Sequence, residues 1–282
     1  MSWKYTDEYY KNYTRETWDA CAEQYVPLSK QLAPFQKSIL DLVKPSQGET
    51  VLDVCSGPGE PAMSIASIIG PSGRVVGIDL SSTMTDIAKK NAEKRGLLNV
   101  DFLTMDAEKL EFPSNSFDAA VSCFGFQIVT QPESAAKEIF RVLKPGGRAG
   151  FTVWSTGDQS PALHVLVGPM LEHATPDEDG YLPTPYELGG PGELTAMLDE
   201  LGFVGSKEFR MRGNFVAESA EAYLTMFLNG SPLGHSLSEE SKEVQDEVLK
   251  KARASIERYG SGGTISIPAE CVMVVTQKAN VS

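Results

Sequence analysis

The sequence predicts an α/β fold: a doubly wound, mostly parallel sheet of seven strands, with helices ahead of it and a helical insert near the C-terminus. Three observations carry this. Between Thr50 and Trp154, short apolar runs alternate with segments of helical period. The runs are almost continuously apolar, as strands covered on both faces are. The passages between them hold turn signals, Gly57-Pro58-Gly59, Gly70-Pro71, Gly96 and Pro145-Gly146-Gly147. Right-handed crossovers then place helices on both faces.

Taken in order, residues 1–47 read as a helical cover. Trp18, Cys21, Ala22 and Tyr25 fall at helical spacing, and Phe35, Ile39, Leu40 and Val43 repeat it before Pro45 ends the run. Residues 48–155 read as a ligand-binding core. Its strands are expected over 50–55, 74–79, 100–104, 117–123 and 148–154, and its helices over 62–69, 82–95 and 134–143. Residues 156–282 complete the sheet. The Gly- and Pro-rich segment 156–191, with one helical stretch over 162–173, reads as a lid above the strand ends. A helix over 193–201 is stopped by Gly202, and a strand over 206–216 follows. A helical insert spans 217–266, and a last strand spans 269–277. Nothing in the composition divides the chain, so one domain over 1–282 is expected.

Charge and cysteine use narrow the function. The chain has 25 Lys+Arg against 38 Asp+Glu, a net charge of −13. That balance argues against a nucleic-acid partner, whose phosphates are met by Lys and Arg. The densest basic stretch, residues 89–95, reads as the wet face of one helix. No apolar run approaches the roughly 18 to 20 residues of a membrane helix, so no membrane insertion is expected. The N-terminus lacks the basic-then-apolar pattern of a secretory leader. Cys21, Cys55, Cys123 and Cys271 form no C-x-x-C pair, and His164, His173 and His235 lie apart from them. A zinc site, another metal site or a disulfide framework is therefore not expected, and a reducing, cytoplasmic setting is.

The motif with most chemistry runs from Asp53 to Ala62: a strand end, then Cys55-Ser56-Gly57-Pro58-Gly59, then a helix start. Such a turn lets backbone approach a ligand, and the helix beyond offers free N–H groups. Asp79, twenty residues past Gly59, ends the second strand, where a carboxylate can accept from both hydroxyls of a ribose. Gly57-x-Gly59-x-x-Ala62 with that acid also satisfies the dinucleotide fingerprint. Asp106, at the tip of the third strand, is placed to accept from an adenine amine. The Tyr-x-x-x-Lys pair of short-chain dehydrogenases is absent.

Five pieces occur in order: Val51-Leu52-Asp53 with Gly57-Pro58-Gly59, Val76-Gly77-Ile78-Asp79-Leu80-Ser81, Asp106-Ala107-Glu108, Ser116-Phe117-Asp118, and Leu143-Lys144-Pro145-Gly146-Gly147. Together they resemble the core of the Rossmann-like, class I S-adenosylmethionine-dependent methyltransferases. The branch most resembled includes the ubiquinone/menaquinone-biosynthesis methyltransferases. The resemblance implies S-adenosylmethionine as cofactor and a small-molecule methyl acceptor. It places Gly57 and Gly59 near the methionine part, Asp79 at the ribose, and Met84, Asp106 and Ala107 around the adenine, with Leu80 also among the cofactor-binding residues. It further sets Cys123 and Phe124 on the sulfonium side and Tyr25 over the cofactor. One position departs from the family pattern: glycine usually stands two residues after the first strand's acid, where this chain has Cys55, followed by Ser56.

On the acceptor side, methyl transfer is an in-line displacement, so alignment carries much of it and a base is needed only for a protonated acceptor. The (Asn/Asp)-Pro-Pro-aromatic element of nucleic-acid amino-methyltransferases is replaced by Cys123-Phe124-Gly125-Phe126-Gln127, which again points to a small-molecule substrate. Phe126, Gln127 and Trp154 are candidate pocket walls. His164 is the candidate base, and His235 is placed to close over substrate. The insert holds Tyr223, Met226, Phe227 and Leu228, enough apolar surface to select an acceptor or to form the face of a homodimer. Two other functions stay open: thiol or arsenite methylation, with Cys21, Cys55 and Cys123 converging, and a cofactor-binding regulator without turnover.

Overall fold

The computed structural model describes residues 7–175 and 184–280. Ahead of the sheet lie α1 (Asp7–Cys21), a 3-10 turn (Ala22–Tyr25), α2 (Val26–Gln31) and α3 (Ala33–Val43). The core follows as β1 (Thr50–Val54), α4 (Ala62–Ile69), β2 (Arg74–Asp79), α5 (Ser82–Lys94), β3 (Val100–Thr104), β4 (Phe117–Cys123), α6 (Pro132–Val142) and β5 (Leu143–Trp154). Then come α7 (Pro161–Leu171), α8 (Glu193–Glu200), β6 (Phe203–Ala217), α9 (Ala220–Gly230), α10 (Pro232–Ser238), α11 (Lys242–Glu257), β7 (Gly260–Ser261) and β8 (Thr264–Lys278).

The strands form one sheet in the order β3-β2-β1-β4-β5-β8-β6, with the two-residue β7 paired to β8. The pairs from β3 to β5 are parallel, and β8 runs antiparallel to both β5 and β6. The fold is thus the α/β, mostly parallel class that the sequence predicts; the eighth strand is the short β7. Successive residues of each strand feed opposite cores. Val51, Val75, Ala119 and Val121 enter the core beneath α3, α4, α5 and α7. Leu52, Val54, Val76 and Ala120 enter the core beneath α6 and α8.

The two largest departures from the expected boundaries are the starts of β5 and β8. β5 starts at Leu143, ahead of the Pro-Gly-Gly signal, because Leu143 pairs with Phe117 and the register then shifts before Ala119 meets Arg148. The glycines mark a bulge within the strand rather than its start. β8 starts at Thr264 inside the segment expected to be insert, which shortens the insert's helices to 220–257. Pro268 hides this strand. It pairs with Asn214 of β6 but lies past the end of β5, which stops opposite Cys271, so β8 has a free edge there that tolerates a missing N–H.

Residues 176–183, the middle of the segment read as a lid, lie outside the described residues. Among the described residues, no helix is long and apolar enough to cross a membrane. The order of the sheet reverses between β1 and β4, and the turns after these two strands open the crevice where such sheets bind ligands.

Candidate functional site

The turn after β1 is held from beneath. Asp53 is fully buried; its Oδ2 accepts from the Ala62 N–H at 2.9 Å and anchors the start of α4, while its Oδ1 has no hydrogen-bond partner among the described residues. Burial lifts this carboxyl well above the usual range. Ser56 N–H donates to the Ile78 carbonyl at 2.8 Å, tying the turn to β2. Gly59 is a packing glycine: a Cβ there would stand 2.9 Å from Met63 Cε and 3.2 Å from Phe102. Cys55, in place of the family's glycine, keeps a left-handed φ of 59°. Such a conformation costs a non-glycine residue about 1–2 kcal/mol. Space for its side chain comes from Gly125 after β4, where a Cβ would fall 2.1 Å from the Cys55 Cβ. The turn therefore closes despite the departure, through a complementary glycine on the neighbouring loop.

Asp79 ends β2 and aims its carboxylate across the turn. Oδ2 accepts from the Gly57 N–H at 2.8 Å and Oδ1 from the Ser81 N–H at 2.9 Å. Burial raises its pKa to about 6, against the opposing effect of those N–H groups. Each oxygen keeps a lone pair for a hydroxyl donor. Ser81 also caps α5, accepting from Met84 N–H at 3.0 Å, and its hydroxyl donates to Asp19 of α1 at 2.5 Å.

These groups line a narrow chamber with about 90 Å³ open to water-sized molecules. Of the expected cofactor residues, Tyr25, Cys55, Gly57, Asp79, Leu80, Met84, Asp106, Ala107, Cys123 and Phe124 border it together. Ser56 and Gly59 lie buried behind it. The Tyr25 ring meets Trp18 edge-on at 5.4 Å and reaches toward Gly57, roofing the turn. Cys55 and Cys123 are thiols whose pKa burial pushes well up.

The sequence reading missed the roof of this chamber. Lys11, Thr14, Arg15 and Trp18, along one face of α1, all line it. Lys11 Nζ pairs with Asp106 Oδ2 at 2.8 Å and also with Glu108. Asp106 thus holds a cation in this structure, and its Oδ1 accepts from Glu108 N–H at 2.9 Å. The helical repeat of Lys11, Thr14 or Arg15, Trp18 and Tyr25 was a signal that could have found the face.

A second, larger chamber joins the first at Thr14, Trp18, Tyr25 and Phe124, with about 850 Å³ open to water-sized molecules. Its wall is aromatic. Trp154 stacks on Phe124 at 3.9 Å and meets Phe35 and Phe215 edge-on, each at 5.7 Å. Phe215 continues to Phe227 at 5.8 Å. Phe126, Gln127 and Trp154 all border this space. Gln127 Oε1 accepts from Trp154 N–H at 2.7 Å.

The histidines stand apart. His164 is exposed on α7, 6.0 Å from the Tyr186 ring and packed toward Gly157 and Gly168, and it borders neither chamber. His235 is exposed on α10 beside Tyr13, 5.9 Å between rings, also outside both linings.

Comparisons with known proteins bear on this geometry. The model of the ubiE/COQ5 methyltransferase family matches residues 27–158. The ubiquinone/menaquinone biosynthesis C-methyltransferase UbiE of Ectopseudomonas mendocina is 39% identical over 115 residues, 40% of this chain and 45% of that protein. Its counterpart in Ectopseudomonas oleovorans is 36% identical over 115 residues, 40% of this chain and 68% of that protein. The match thus spans about half the length of the first of these curated relatives. Among solved structures, the Haemonchus contortus phosphoethanolamine N-methyltransferase 2, in complex with phosphomonomethylethanolamine and S-adenosylhomocysteine, superposes with a TM-score of 0.55 at 20% identity. That superposition covers 88% of this chain and 53% of the other, and the likeness concerns the fold.

Proposed function

The chain belongs to the ubiE/COQ5 methyltransferase family, within the class I S-adenosylmethionine-dependent methyltransferases, and from that premise we propose that it transfers a methyl group from S-adenosylmethionine to a small molecule held in the larger chamber. The observation that carries this is Asp79. A carboxylate held by two backbone N–H groups at the tip of β2, with a lone pair free on each oxygen, suits a vicinal diol. The residues around it fit the rest of the cofactor: Met84 and Ala107 are apolar and buried for the adenine.

When bound, the cofactor supplies an electrophilic methyl on sulfur. The protein's part is alignment. Asp79 and the Gly57 turn fix one partner, while Phe124 and Trp154 give the other a flat wall at the junction of the chambers. Exclusion of water falls to Trp18 and Tyr25 above. His164 lies outside both linings, so the acceptor is one that reacts without a base at that position.

The sulfur and arsenite variant is not favoured: the family match points elsewhere, and Cys21 borders neither chamber, so it does not join Cys55 and Cys123 there. The four unpaired cysteines support a cytoplasmic setting, and the −13 charge supports the absence of a nucleic-acid partner. Tyr223, Phe227, Val248 and Ile256 of the insert are buried within the chain, which supports an acceptor wall over a dimer face there. Calorimetric titration tests the cofactor: S-adenosylhomocysteine should bind and NAD should not. Turnover with a panel of acceptors then separates an enzyme from a silent binder.

A further inference from the structure

β6 is the last strand of the sheet, and one of its edges faces away from β8. Gln31 of α2 shows which backbone groups point there. Its Nε2 donates to the Val216 carbonyl and its Oε1 accepts from the Val216 N–H, each at 3.1 Å, so both groups of Val216 turn outward. The ladder with β8 runs without a shift from Lys207 to Ala217. Alternate residues of an antiparallel ladder present both groups to the same side, so Glu208, Arg210, Arg212 and Asn214 also turn theirs outward. Glu270, opposite Arg212, fixes the same phase: its carbonyl accepts from Ser155 N–H at 3.0 Å, on the β5 side. Among the described residues, nothing hydrogen-bonds to these four outward pairs of groups. The free stretch is bounded at both ends. A register shift between Val204 and Lys207 precedes it, and the Gln31 amide closes it at Val216. Its midpoint is Met211.

The side chains along this stretch suit a strand. Phe209 is 40% exposed on one face, and Gly213 lies further along the same face. On the other face Arg210 pairs with Glu208 at 3.2 Å and with Glu270 at 3.0 Å, and Arg212 pairs with Glu270 at 2.7 Å. Two cations against two acids leave that face neutral, on a chain whose net charge is −13. An unpaired edge of this kind is a template for another strand.

We propose that this edge binds a second copy of the chain, β6 antiparallel to β6, about a two-fold axis at Met211. That register sets Glu208 opposite the partner's Asn214 and Arg210 opposite the partner's Arg212, so every outward group of the stretch gains a hydrogen bond. Phe209 falls opposite the partner's Gly213, where no side chain stands in its way. Glu208 lies diagonal to the partner's Arg212, close enough for these long side chains to attract. The facing arginines each hold Glu270 of their own chain, which offsets their repulsion. Seven residues a side make a small interface, so the dimer forms with a Kd on the order of 10 µM. The pairing does not rest on the methyltransferase assignment.

Sedimentation equilibrium of the full chain from about 1 µM to about 500 µM, a range that brackets this Kd, reads the association. Amide exchange resolved by residue, measured at both ends of the range, reads the surface. The chain should pass from monomer to dimer. The outward amides of Glu208, Arg210, Arg212 and Asn214 should exchange at least about fivefold more slowly in the concentrated sample. Those of Phe209, Met211 and Gly213, already bonded to β8, should be protected in both. Asn214→Pro removes an outward donor that the monomer does not use, and Phe209→Lys puts a charge in place of the ring. Each should weaken association by about tenfold or more, with S-adenosylhomocysteine affinity unchanged as the check on folding. A chain that stays monomeric at the highest concentration would overturn the proposal. So would a dimer whose outward amides gain no protection, or one that both variants leave intact. Should a variant misfold, the exchange pattern of the wild-type chain decides alone.

Discussion

The two chambers that meet at Phe124 are built by opposite means. The smaller is made of strand-tip turns, with backbone N–H groups and acids drawn mostly from the segment that matches the family model. The larger is made of side chains from α1, the turn after β4, β5, α7, β6 and α9, and most of its border lies before residue 27 or after residue 158. The smaller offers about 90 Å³ and the larger about 850 Å³ to water-sized molecules. A site of local turns tolerates little change, because each contact depends on a specific backbone conformation. A wall of packed aromatics can be rebuilt residue by residue. Cofactor binding and acceptor choice can thus be set by different kinds of residue along one sheet edge.

The sharpest break between the chambers is Asp79→Ala. It removes two charge-assisted hydrogen bonds to the ribose, so S-adenosylhomocysteine affinity should fall by about tenfold to several hundredfold. Binding of tetralin, an apolar bicycle, in the larger chamber should not change. Loss of both together would mean that the chambers are one site, not two.

The seam between the two turns comes next. Gly125→Ala would place a Cβ 2.1 Å from that of Cys55, and overpacking of this kind costs about 1–3 kcal/mol. The thermal midpoint should drop accordingly. Cys55→Gly should restore it in the double variant, because it removes the clashing group and relieves the residue at φ 59°. A double variant no more stable than Gly125→Ala would show that the turns are not coupled.

Half of this contrast was readable in the sequence. Asp79, Gly57 and Asp106 announce themselves because strand, turn and acid are contiguous, and periodicity shows where each strand ends. The contact of Cys55 with Gly125 joins turns 70 residues apart, and the Lys11 pairs with Asp106 and Glu108 span a comparable distance, so no local pattern contains them. Phe215 and Phe227 were legible as apolar residues of a strand and a helix, but not as one wall with Trp154. His164 shows the reverse failure: the residue type suits a base, while the helix phase turns it outward. The early start of β8 was hidden by Pro268, a strand breaker everywhere except at a free edge.

Acidity gives a subtler test of the same carboxylate. Asp79 titrates near pH 6 in the free protein, and the ribose hydroxyls require its ionised form. Affinity for S-adenosylhomocysteine should therefore be flat above pH 7 and fall by up to about tenfold per unit below pH 6. Folding runs the other way. A carboxyl raised from 3.8 to about 6 favours the native state when protonated, and that advantage is lost as pH rises from 4 to 6. Asp79→Asn cannot ionise and loses one of the two N–H acceptors at every pH, so its stability relative to wild type should rise across that window, by about 3 kcal/mol between pH 3 and pH 7. A stability difference between Asp79→Asn and wild type that does not vary with pH would contradict this. The smallest effect belongs to His164→Ala: single-turnover rates should stay within about twofold, and a drop of a hundredfold would return the histidine to the chemistry.

The most direct measurement is a crystal structure with S-adenosylhomocysteine bound. Its ribose hydroxyls should lie within hydrogen-bond distance of both Asp79 oxygens, with the sulfur facing the junction at Phe124 and the larger chamber left open. Density for the adenosyl group in the larger chamber, or a ribose that makes no contact with Asp79, would contradict the division of the site into a cofactor turn and an acceptor wall.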